Sequence, residues 1–407
     1  MKEFSDAVCP ELTSEQKKVI NSPRMTTARE RLDAAYARLE AAYARLAMLT
    51  ATHEAAQYMH FRQTQLTQCW KVQSIVLVVF TFFCFLLEQV RGIQPTPVVG
   101  VLTGPHYKNR QSTVPSGNYI AASYIKWLAV SGARAIPIPY DASDALVDDI
   151  FPQINGLFLP GGGALLPPSA QRLWELANES NARGRFFPVW GTCLGFEFLL
   201  MLAANDTSVL GTINVENMTL PLELTNRPSQ LYTNEWQTIV PNENLTMNNH
   251  RFGIAPDDFA ANPQLVSVFN VTSISKSPRG EHFVSTIEPR DPDRYPYYGV
   301  QYHPEKNPFE LGTCQGTNIP YEATNHSPLA IRLALHLAQF FGSLLLRNQA
   351  QGHHLYTKCD EYPLVNTYPV KTGIEFQETY LIPLATHWDP TEEETPAQLR
   401  RPVGVTQ

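Results

Sequence analysis

The sequence has no Cys-x-x-Cys pair, although it contains six cysteines in 407 residues. Cysteine-based zinc sites use such closely spaced pairs, so the spacing argues against a zinc-binding module. The 31 lysines and arginines are scattered without a basic stripe, and 38 acidic residues leave a net charge of −7. Nucleic-acid-binding proteins need a concentrated basic surface, and the sequence therefore predicts no nucleic-acid partner.

Hydrophobic residues make up 43% of the chain, which is enough to build a sizeable core. The length predicts two domains, or one large domain with appendages. Residues 31–51 repeat every seven positions and place one apolar seam on a helix. The repeat is typical of either a short coiled coil or a solvated Ala-rich helix, and residues 1–58 form an extension without a placed role. The seam consists of Leu32, Tyr36, Leu39, Tyr43, Leu46 and Leu49.

An apolar run, "IVLVVFTFFCFLL", covers residues 75–87 and is shorter than the ~20 residues of a bilayer span. If translation starts at Met59, a basic leader precedes the run, and Val90 and Gly92 suit a signal-peptidase cleavage point. Residues 59–92 are therefore expected to be a signal peptide, with a signal anchor as the alternative. Either one delivers the remainder to the secretory pathway, to a lysosome or vacuole lumen or the extracellular space.

Every Asn-x-Ser/Thr triplet noted in the sequence falls after this run, as expected for a chain that enters the lumen. The sites that we predict to be glycosylated are Asn178, Asn205, Asn217, Asn244 and Asn270; a sixth triplet, at Asn325, is weakened by the proline that follows it.

Beyond residue 95, short apolar stretches alternate with amphipathic ones. "PVVGVL", "RAIPIPY", "INGLFLPGGG" and "FFPVWG" are typical of buried strands, whereas "NYIAASYIKWLAVSG" and "PPSAQRLWELANES" are typical of helices. This alternation over residues 96–346 predicts one α/β domain with a mostly parallel sheet covered by helices. The composition of residues 384–407 predicts a disordered tail.

A cysteine stands between two glycines where one predicted strand meets a helix. Gly191-Thr192-Cys193-Leu194-Gly195 is the thiol counterpart of the G-x-S-x-G nucleophile elbow, a tight turn at the carboxyl end of a strand. The start of the following helix favours a thiolate, and its N–H groups can hold an oxyanion. The alternative for Cys193 is an inert core thiol.

A thiolate nucleophile needs a base, and the base needs an orienting group. "YYGVQYHPE" predicts a buried strand that ends at His303, with Glu305 placed to turn back to the imidazole. "FLPGGG" puts Gly162, within Gly161–Gly163, at the end of another strand as a second oxyanion donor. Taken alone, His303 is typical of a structural histidine, and the glycines are typical of a turn. The glycine loop, the cysteine and the His-x-Glu pair each follow a predicted strand, and this combination favours catalysis.

G-x-C-x-G followed by H-P-E resembles the class I glutamine amidotransferases. More closely, "PVWGTCLGFE", "INGLFLPGG" and "YGVQYHPEKNPFE" look like the gamma-glutamyl hydrolase family over about residues 96–383. The resemblance implies a flavodoxin-like, doubly wound sheet with helices on both faces. It also implies that Cys193, His303 and Glu305 form the catalytic triad of an enzyme that cleaves folyl and antifolate poly-γ-glutamates through a thioester.

Further residues and partners follow from the same resemblance. It implies an oxyanion hole at Gly162 and Leu194, substrate contacts at Glu197 and His250, no metal or cofactor, and a homodimer. The alternative for Glu197 is a charge that complements the helix dipole, and the alternative for His250 is a surface-loop histidine.

Two rival functions remain open. The first is a glutaminase or amidotransferase acting on another γ-glutamyl substrate, and the second is a catalytically idle, membrane-tethered binding protein. With Cys193 reserved for catalysis, Cys314 and Cys359 are expected to pair with each other in an oxidising lumen, or both to stay free in a reducing one.

Overall fold

The structure, a computed structural model, describes residues 96–106, 117–314, 316–372 and 376–385, together with residues 38, 41, 42, 44 and 45. The chain divides into two units, Met1–Pro95 and Thr96–Gln407. In the first unit the five described residues are helical and exposed. The apolar seam, Met59, the run 75–87, Val90, Gly92 and residues 386–407 lie outside the described residues.

The second unit is built on an eight-stranded sheet whose order is β4-β1-β5-β6-β12-β11-β10-β8. The strands from β4 to β12 in this order are parallel, and the remaining three join antiparallel. The prediction of a mostly parallel α/β sheet is therefore confirmed. The strands are β1 Val98–Leu102, β4 Arg134–Ile138, β5 Leu157–Leu159, β6 Val189–Thr192, β8 Glu223–Leu224, β10 Phe269–Lys276, β11 His282–Pro289 and β12 Tyr297–Val300.

Helices cover both faces of this sheet because alternate strand residues point to opposite sides. In β1, Val99 and Val101 pack with one core cluster, while Val98 and Leu102 pack with the other. The first cluster includes α1 Ala122–Val130, α5 Trp236–Ile239 and α9 Pro328–Gln351. The second includes α2 Asp144–Ile150, α3 Pro168–Ala182, α4 Leu194–Ala204, α6 Pro256–Ala261 and α7 Pro263–Val268.

Two smaller sheets flank the main one. The first has the order β13-β14-β3-β2, with β2 Gly104–His106, β3 Gly117–Ala121, β13 Val370–Lys371 and β14 Thr379–Ile382. The second pairs β7 Gly211–Leu220 with β9 Thr246–Gly253. The helix predicted over "NYIAASYIKWLAVSG" is wrong at its start, because β3 takes residues 117–121 by pairing with β14 and β2.

The long apolar helix α9 belongs to the core of the second unit. Among the described residues it is the one helix long and apolar enough to cross a membrane by length and composition. Its buried side chains, among them Leu333, Leu337, Phe341 and Leu345, pack into the core cluster beside β1 and β6. Burial against the sheet therefore accounts for its apolar composition.

The predicted pairing of Cys314 with Cys359 is wrong. Cys314 is free and exposed, whereas Cys359 is disulfide-bonded. The segment around Cys359 lies at the amino edge of the parallel strands, where Gln153, ahead of β5, accepts hydrogen bonds from the Thr357 and Lys358 amides. The free thiol of Cys314 excludes a bond between the two, and the alternative that both stay free is also wrong because Cys359 is disulfide-bonded.

Candidate active site

Cys193 occupies a sharp corner between β6 and α4. Its φ of 52° and ψ of −107° lie in a region that non-glycine residues rarely adopt. The corner is held because the Cys193 amide donates a 2.9 Å hydrogen bond to the carbonyl of Val300 on β12. A Cβ on Gly195 would overlap the Leu159 carbonyl, and one on Gly191 would lie 2.5 Å from the Gly195 oxygen. Only glycine fits at either position, so the motif raises the thiol at the carboxyl edge of the sheet.

The thiol of Cys193 is buried, and its Sγ lies 3.9 Å from the Asn249 carbonyl oxygen on β9. Burial raises the pKa of Cys193 strongly, and the carboxylates of Glu197 and Glu305 raise it further; Lys306 and the Leu194 amide act in the opposite direction. The expected contribution of the helix start is present, because the Leu194 amide lowers the pKa of Cys193, but desolvation of the sulfur has the larger effect.

His303 and Glu305 form a buried hydrogen-bonded pair. His303 Nδ1 is 2.7 Å from Oε1 of Glu305. Strand β12 ends at Val300 rather than at His303, but the His303 amide donates a 2.7 Å bond to the Met247 carbonyl on β9, which fixes the backbone. Because Glu305 accepts at Nδ1, the ring presents Nε2 for proton transfer.

Tyr124 on α1 is a site residue that the sequence reasoning missed. Its hydroxyl lies 3.2 Å from His303 Nδ1 and accepts a 2.9 Å bond from the Gly161 amide. A Cβ on Gly161 would lie 2.8 Å from His303 Cε1 and 3.2 Å from Cys193 Cβ, so this glycine touches both groups. Tyr124 looks like an ordinary core residue of an amphipathic helix, and no sequence signal distinguishes it.

The two predicted oxyanion residues face each other across the corner. A Cβ on Gly162 would lie 3.6 Å from Leu194 Cδ2 and 3.6 Å from the Tyr119 hydroxyl. Gly162 follows β5, whereas Leu194 is the first residue of α4. The loop after β5 and the start of α4 therefore adjoin next to Cys193.

Glu197 is buried one helical turn after the thiol. Its Oε1 accepts a 3.1 Å hydrogen bond from Nε2 of Gln301, a residue that the sequence reasoning did not single out. Burial raises the pKa of Glu197 to about 7, and the bond from Gln301 opposes that shift. The carboxyl group therefore changes protonation state near neutral pH.

His250 lies in strand β9 and is buried, so it is not a surface-loop histidine. Its Nδ1 is 2.8 Å from the Phe252 carbonyl, and its ring packs edge-on against Phe283. Burial lowers the pKa of His250 to about 4 and keeps the ring neutral at pH 7. With Nδ1 donating to the carbonyl, Nε2 is left as an acceptor.

Several buried acceptors at this corner have no hydrogen-bond partner within the described residues. They are Oε2 of Glu305, Nε2 of His250 and Oε1 of Gln301. Buried polar atoms normally have hydrogen-bond partners. A group of buried acceptors without partners therefore indicates a place where a ligand with N–H or O–H donors binds. A thiol, an imidazole–carboxylate pair and two facing backbone segments can together perform acyl transfer.

The chain was compared with known proteins. The glutamine amidotransferase class-I family model matches residues 117–315, a range that contains all the residues placed above. Gamma-glutamyl hydrolase of Rattus norvegicus is 36% identical over 299 residues, which cover 70% of this chain and 89% of the relative. Gamma-glutamyl hydrolase B of Dictyostelium discoideum is 35% identical over 281 residues, covering 66% of this chain and 78% of the relative.

Among solved structures, the glutaminase domain of Trypanosoma brucei CTPS with bound acivicin matches with a TM-score of 0.39 at 12% identity, over 62% of this chain and 94% of that one. The sequence relatives decide the assignment, because they match at higher identity over most of their own length. The chain belongs to the gamma-glutamyl hydrolase family and is an enzyme of that family.

Proposed function

We propose that this enzyme cleaves the γ-glutamyl bonds of folyl and antifolate poly-γ-glutamates through a thioester on Cys193. The observation that carries the proposal is the strained Cys193 corner facing the hydrogen-bonded pair of His303 and Glu305. Its relatives in several organisms bear the name gamma-glutamyl hydrolase, which supports the bond type. The folate part rests on the family resemblance.

In the first half-reaction Cys193 Sγ attacks the γ-carbonyl carbon while His303 Nε2 takes the thiol proton. Because burial raises the pKa of the thiol, formation of the thiolate depends on proton transfer to His303. Glu305, bonded to Nδ1, stabilises the imidazolium that forms. The C–N bond then breaks as Nε2 returns the proton to the leaving amine, which leaves the thioester.

The oxyanion of the tetrahedral intermediate is assigned to the backbone amides of Gly162 and Leu194. Their loops face each other beside the thiol, and such preorganised donors stabilise charge that develops only in the transition state. In the second half-reaction His303 removes a proton from water, and the hydroxide attacks the thioester carbon. The C–S bond breaks, and the proton returns to Cys193.

The γ-glutamyl unit would be held by Glu197 and His250. Both present buried acceptor atoms beside the thiol, since Nδ1 of His250 is engaged and Glu197 carries a carboxyl group. They are matched to an N–H donor on the α-nitrogen of that unit. In a poly-γ-glutamate this nitrogen is an amide, and in a free γ-glutamyl peptide it is an ammonium.

The deciding experiment is incubation of the purified protein with folyl-pentaglutamate and mass analysis of the products over time. Shorter folyl-glutamates and released glutamate or γ-glutamyl peptides support the proposal. Equal turnover of free glutamine with release of ammonia would favour the glutaminase alternative instead. Intact folyl-pentaglutamate, with protein that still binds it, would favour the idle binding protein.

We also propose that the enzyme acts in the secretory pathway, begins near Ile93 after signal cleavage and forms a homodimer. Asn205, Asn217 and Asn244 are exposed, which suits glycan attachment. Asn178 is half-buried, and its side chain bonds both the Trp174 carbonyl and the Tyr297 hydroxyl.

N-terminal sequencing, glycopeptide mapping and light scattering of protein from its native compartment test these three statements. An N-terminus upstream of residue 74, in protein that stays with the membranes after carbonate washing, would establish the signal anchor. A monomeric mass in light scattering would rule out the homodimer.

A further inference from the structure

A buried ion pair beside the candidate triad has no part in the steps above. Lys306 Nζ lies 2.5 Å from Oε1 of Glu322, and the two side chains are only 4% and 14% exposed. The same Oε1 accepts a 2.6 Å hydrogen bond from Asn249 Nδ2. Desolvating two charges is costly, and such pairs do not in general add stability over apolar residues. The position of the pair therefore calls for a functional explanation.

Two connections link this pair to the sulfur. Lys306 follows Glu305 directly in the chain and begins helix α8, Lys306–Phe309. Asn249, which Glu322 holds through its side chain, presents its backbone carbonyl 3.9 Å from Cys193 Sγ. A change in the charge or geometry of the pair therefore reaches the thiol both through space and through strand β9.

The charged surroundings of Cys193 are unfavourable to a thiolate. Glu197 on α4 and Glu305 after β12 both raise the pKa of the thiol, whereas Lys306 lowers it. Glu322 adds a third carboxylate, which is paired with Lys306. Lys306 is a side-chain cation that offsets these charges at Cys193.

The other titratable groups at the sulfur contribute little charge. Burial keeps Tyr124 on α1 protonated, and His250 on β9 is neutral at pH 7. His303 is the group that receives the proton in the proposed mechanism. The positive end of the α4 helix dipole, through the Leu194 amide, is the remaining favourable contribution.

We propose that Lys306 is a positioning residue whose ammonium stabilises the developing Cys193 thiolate, while Glu322 moderates that charge and fixes Asn249 beside the sulfur. This inference rests on the proposed function, in which Cys193 is the nucleophile. It explains why a buried pair is placed at this point, since Glu322 bonds both Lys306 and the side chain of Asn249, whose carbonyl lies beside the sulfur.

The test compares Lys306→Met, Glu322→Gln and the double variant in the full chain. The measurement is the pH profile of Cys193 alkylation by iodoacetamide, read by peptide mass spectrometry. Lys306→Met should move the midpoint to higher pH and slow alkylation at pH 7 by about tenfold, which corresponds to one pKa unit. Glu322→Gln should move it to lower pH and speed alkylation about twofold. The double variant should fall between the two.

Lys126→Met is the matched control, because it removes one positive charge from a surface pair with Glu378 that is 41% and 40% exposed. Its Cys193 profile should coincide with that of the unmodified protein, since water screens the charge. The exposed thiol of Cys314 gives an internal reference in every sample.

Opposite shifts for the two single variants support the inference, because a merely structural pair would move both profiles in the same direction. Shifts of the same sign, or no shift in Glu322→Gln, overturn it. If Lys306→Met does not fold, Glu322→Gln and the double variant still decide. Cys193→Ala that stays active would instead remove the proposed mechanism, whatever the alkylation profiles show.

Discussion

The molecule contains two buried polar networks that lie at opposite edges of the same parallel sheet. At the amino edge, Asn155 accepts a hydrogen bond from the Val98 amide at 2.9 Å and donates to Asn348 and to the His354 carbonyl, both at 3.0 Å. Asn348 in turn donates to the Phe186 carbonyl at 2.6 Å. Every side-chain amide atom of Asn155 is bonded, and the network joins β1, β5 and α9.

At the carboxyl edge, the network around Cys193 is incomplete. His303 and Glu305 bond each other, but Oε2 of Glu305, Nε2 of His250 and Oε1 of Gln301 are buried without partners among the described residues. The backbone of Cys193 itself adopts a strained conformation. An incomplete network destabilises the fold and is retained where a ligand completes it.

The difference teaches that burial and polarity alone do not indicate function. The amino-edge network stabilises the fold because each donor meets an acceptor, whereas the carboxyl-edge network leaves acceptors for a substrate. Substitutions at the two edges should therefore separate activity from stability.

Cys193→Ala should have the largest effect on activity. The alanine fits the same corner without a nucleophile, so hydrolysis of a γ-glutamyl substrate should fall by more than about a hundredfold. The melting temperature should change little, because the substitution removes one small buried group and no structural hydrogen bond of the backbone. Steady-state kinetics and thermal unfolding check both parts, and more than about a hundredth of the activity remaining would rule out the covalent mechanism.

His303→Asn should be comparably damaging, because it removes the imidazole that Glu305 holds for proton exchange with Cys193. Glu305→Gln should cost less, on the order of ten- to a hundredfold in kcat, since the amide still bonds Nδ1 but stabilises the imidazolium poorly. Glu281→Gln, on the exposed turn after β10, is the matched control and should leave kcat unchanged. If Glu305→Gln is as inactive as His303→Asn, Glu305 does more than orient the ring.

Asn155→Ala tests the fully hydrogen-bonded network at the amino edge of the sheet, and it should lower stability without lowering activity. It leaves the Val98 amide, the Asn348 amide oxygen and the His354 carbonyl without their partner, at a cost of roughly 3 kcal/mol in the free energy of unfolding. Urea unfolding measures this loss, while kcat at a permissive temperature should be unchanged. Asn242→Ala, which removes an exposed side chain bonded to Thr238, should change stability by less than about 0.5 kcal/mol.

Glu197→Gln should change the free energy of unfolding by an amount that depends on pH. The folded-state pKa of Glu197 is about 7, against 4.5 for an unperturbed group, so the folded state binds more protons between these values. Stability contributed by the protonated group is therefore present below about pH 4.5 and is lost as pH rises towards 7. Glutamine avoids this loss. The difference in the free energy of unfolding between the variant and the parent should therefore change in the variant's favour by up to roughly 3 kcal/mol from pH 4.5 to pH 8.

Urea unfolding at both pH values measures this gain. Glu179→Gln, at an exposed helix position paired with Arg183, is the control and should show no comparable pH dependence. A difference between parent and Glu197→Gln that stays constant with pH would mean that the carboxyl group is not strongly desolvated.

Much of the fold was predictable because it follows from local pattern. The apolar stretches at Val98–Leu102, Leu157–Leu159 and Val189–Thr192 are strands as predicted, and the helix after Cys193 begins where the glycine motif places it. Strand β3 was missed because its partner β14 comes from the far end of the chain, and pairing between distant segments leaves no mark on local periodicity.

The disulfide prediction failed for a related reason. Pairing Cys314 with Cys359 by elimination assumed that they meet in space, which residue order does not show; Cys314 is free and Cys359 is disulfide-bonded. Tyr124 was missed because a helical tyrosine looks the same whether it fills a core or holds a histidine.

The sequence by itself determined the alternation of strands and helices, the glycine-bounded cysteine corner and the membership in a family, because these depend on residue order and backbone sterics. The tertiary structure alone decided which groups meet at that corner and what their charges are. Burial keeps the Cys193 thiol and the His250 ring neutral and raises the pKa of Glu197 to about 7, and desolvation of this kind depends on atoms brought together from distant parts of the chain.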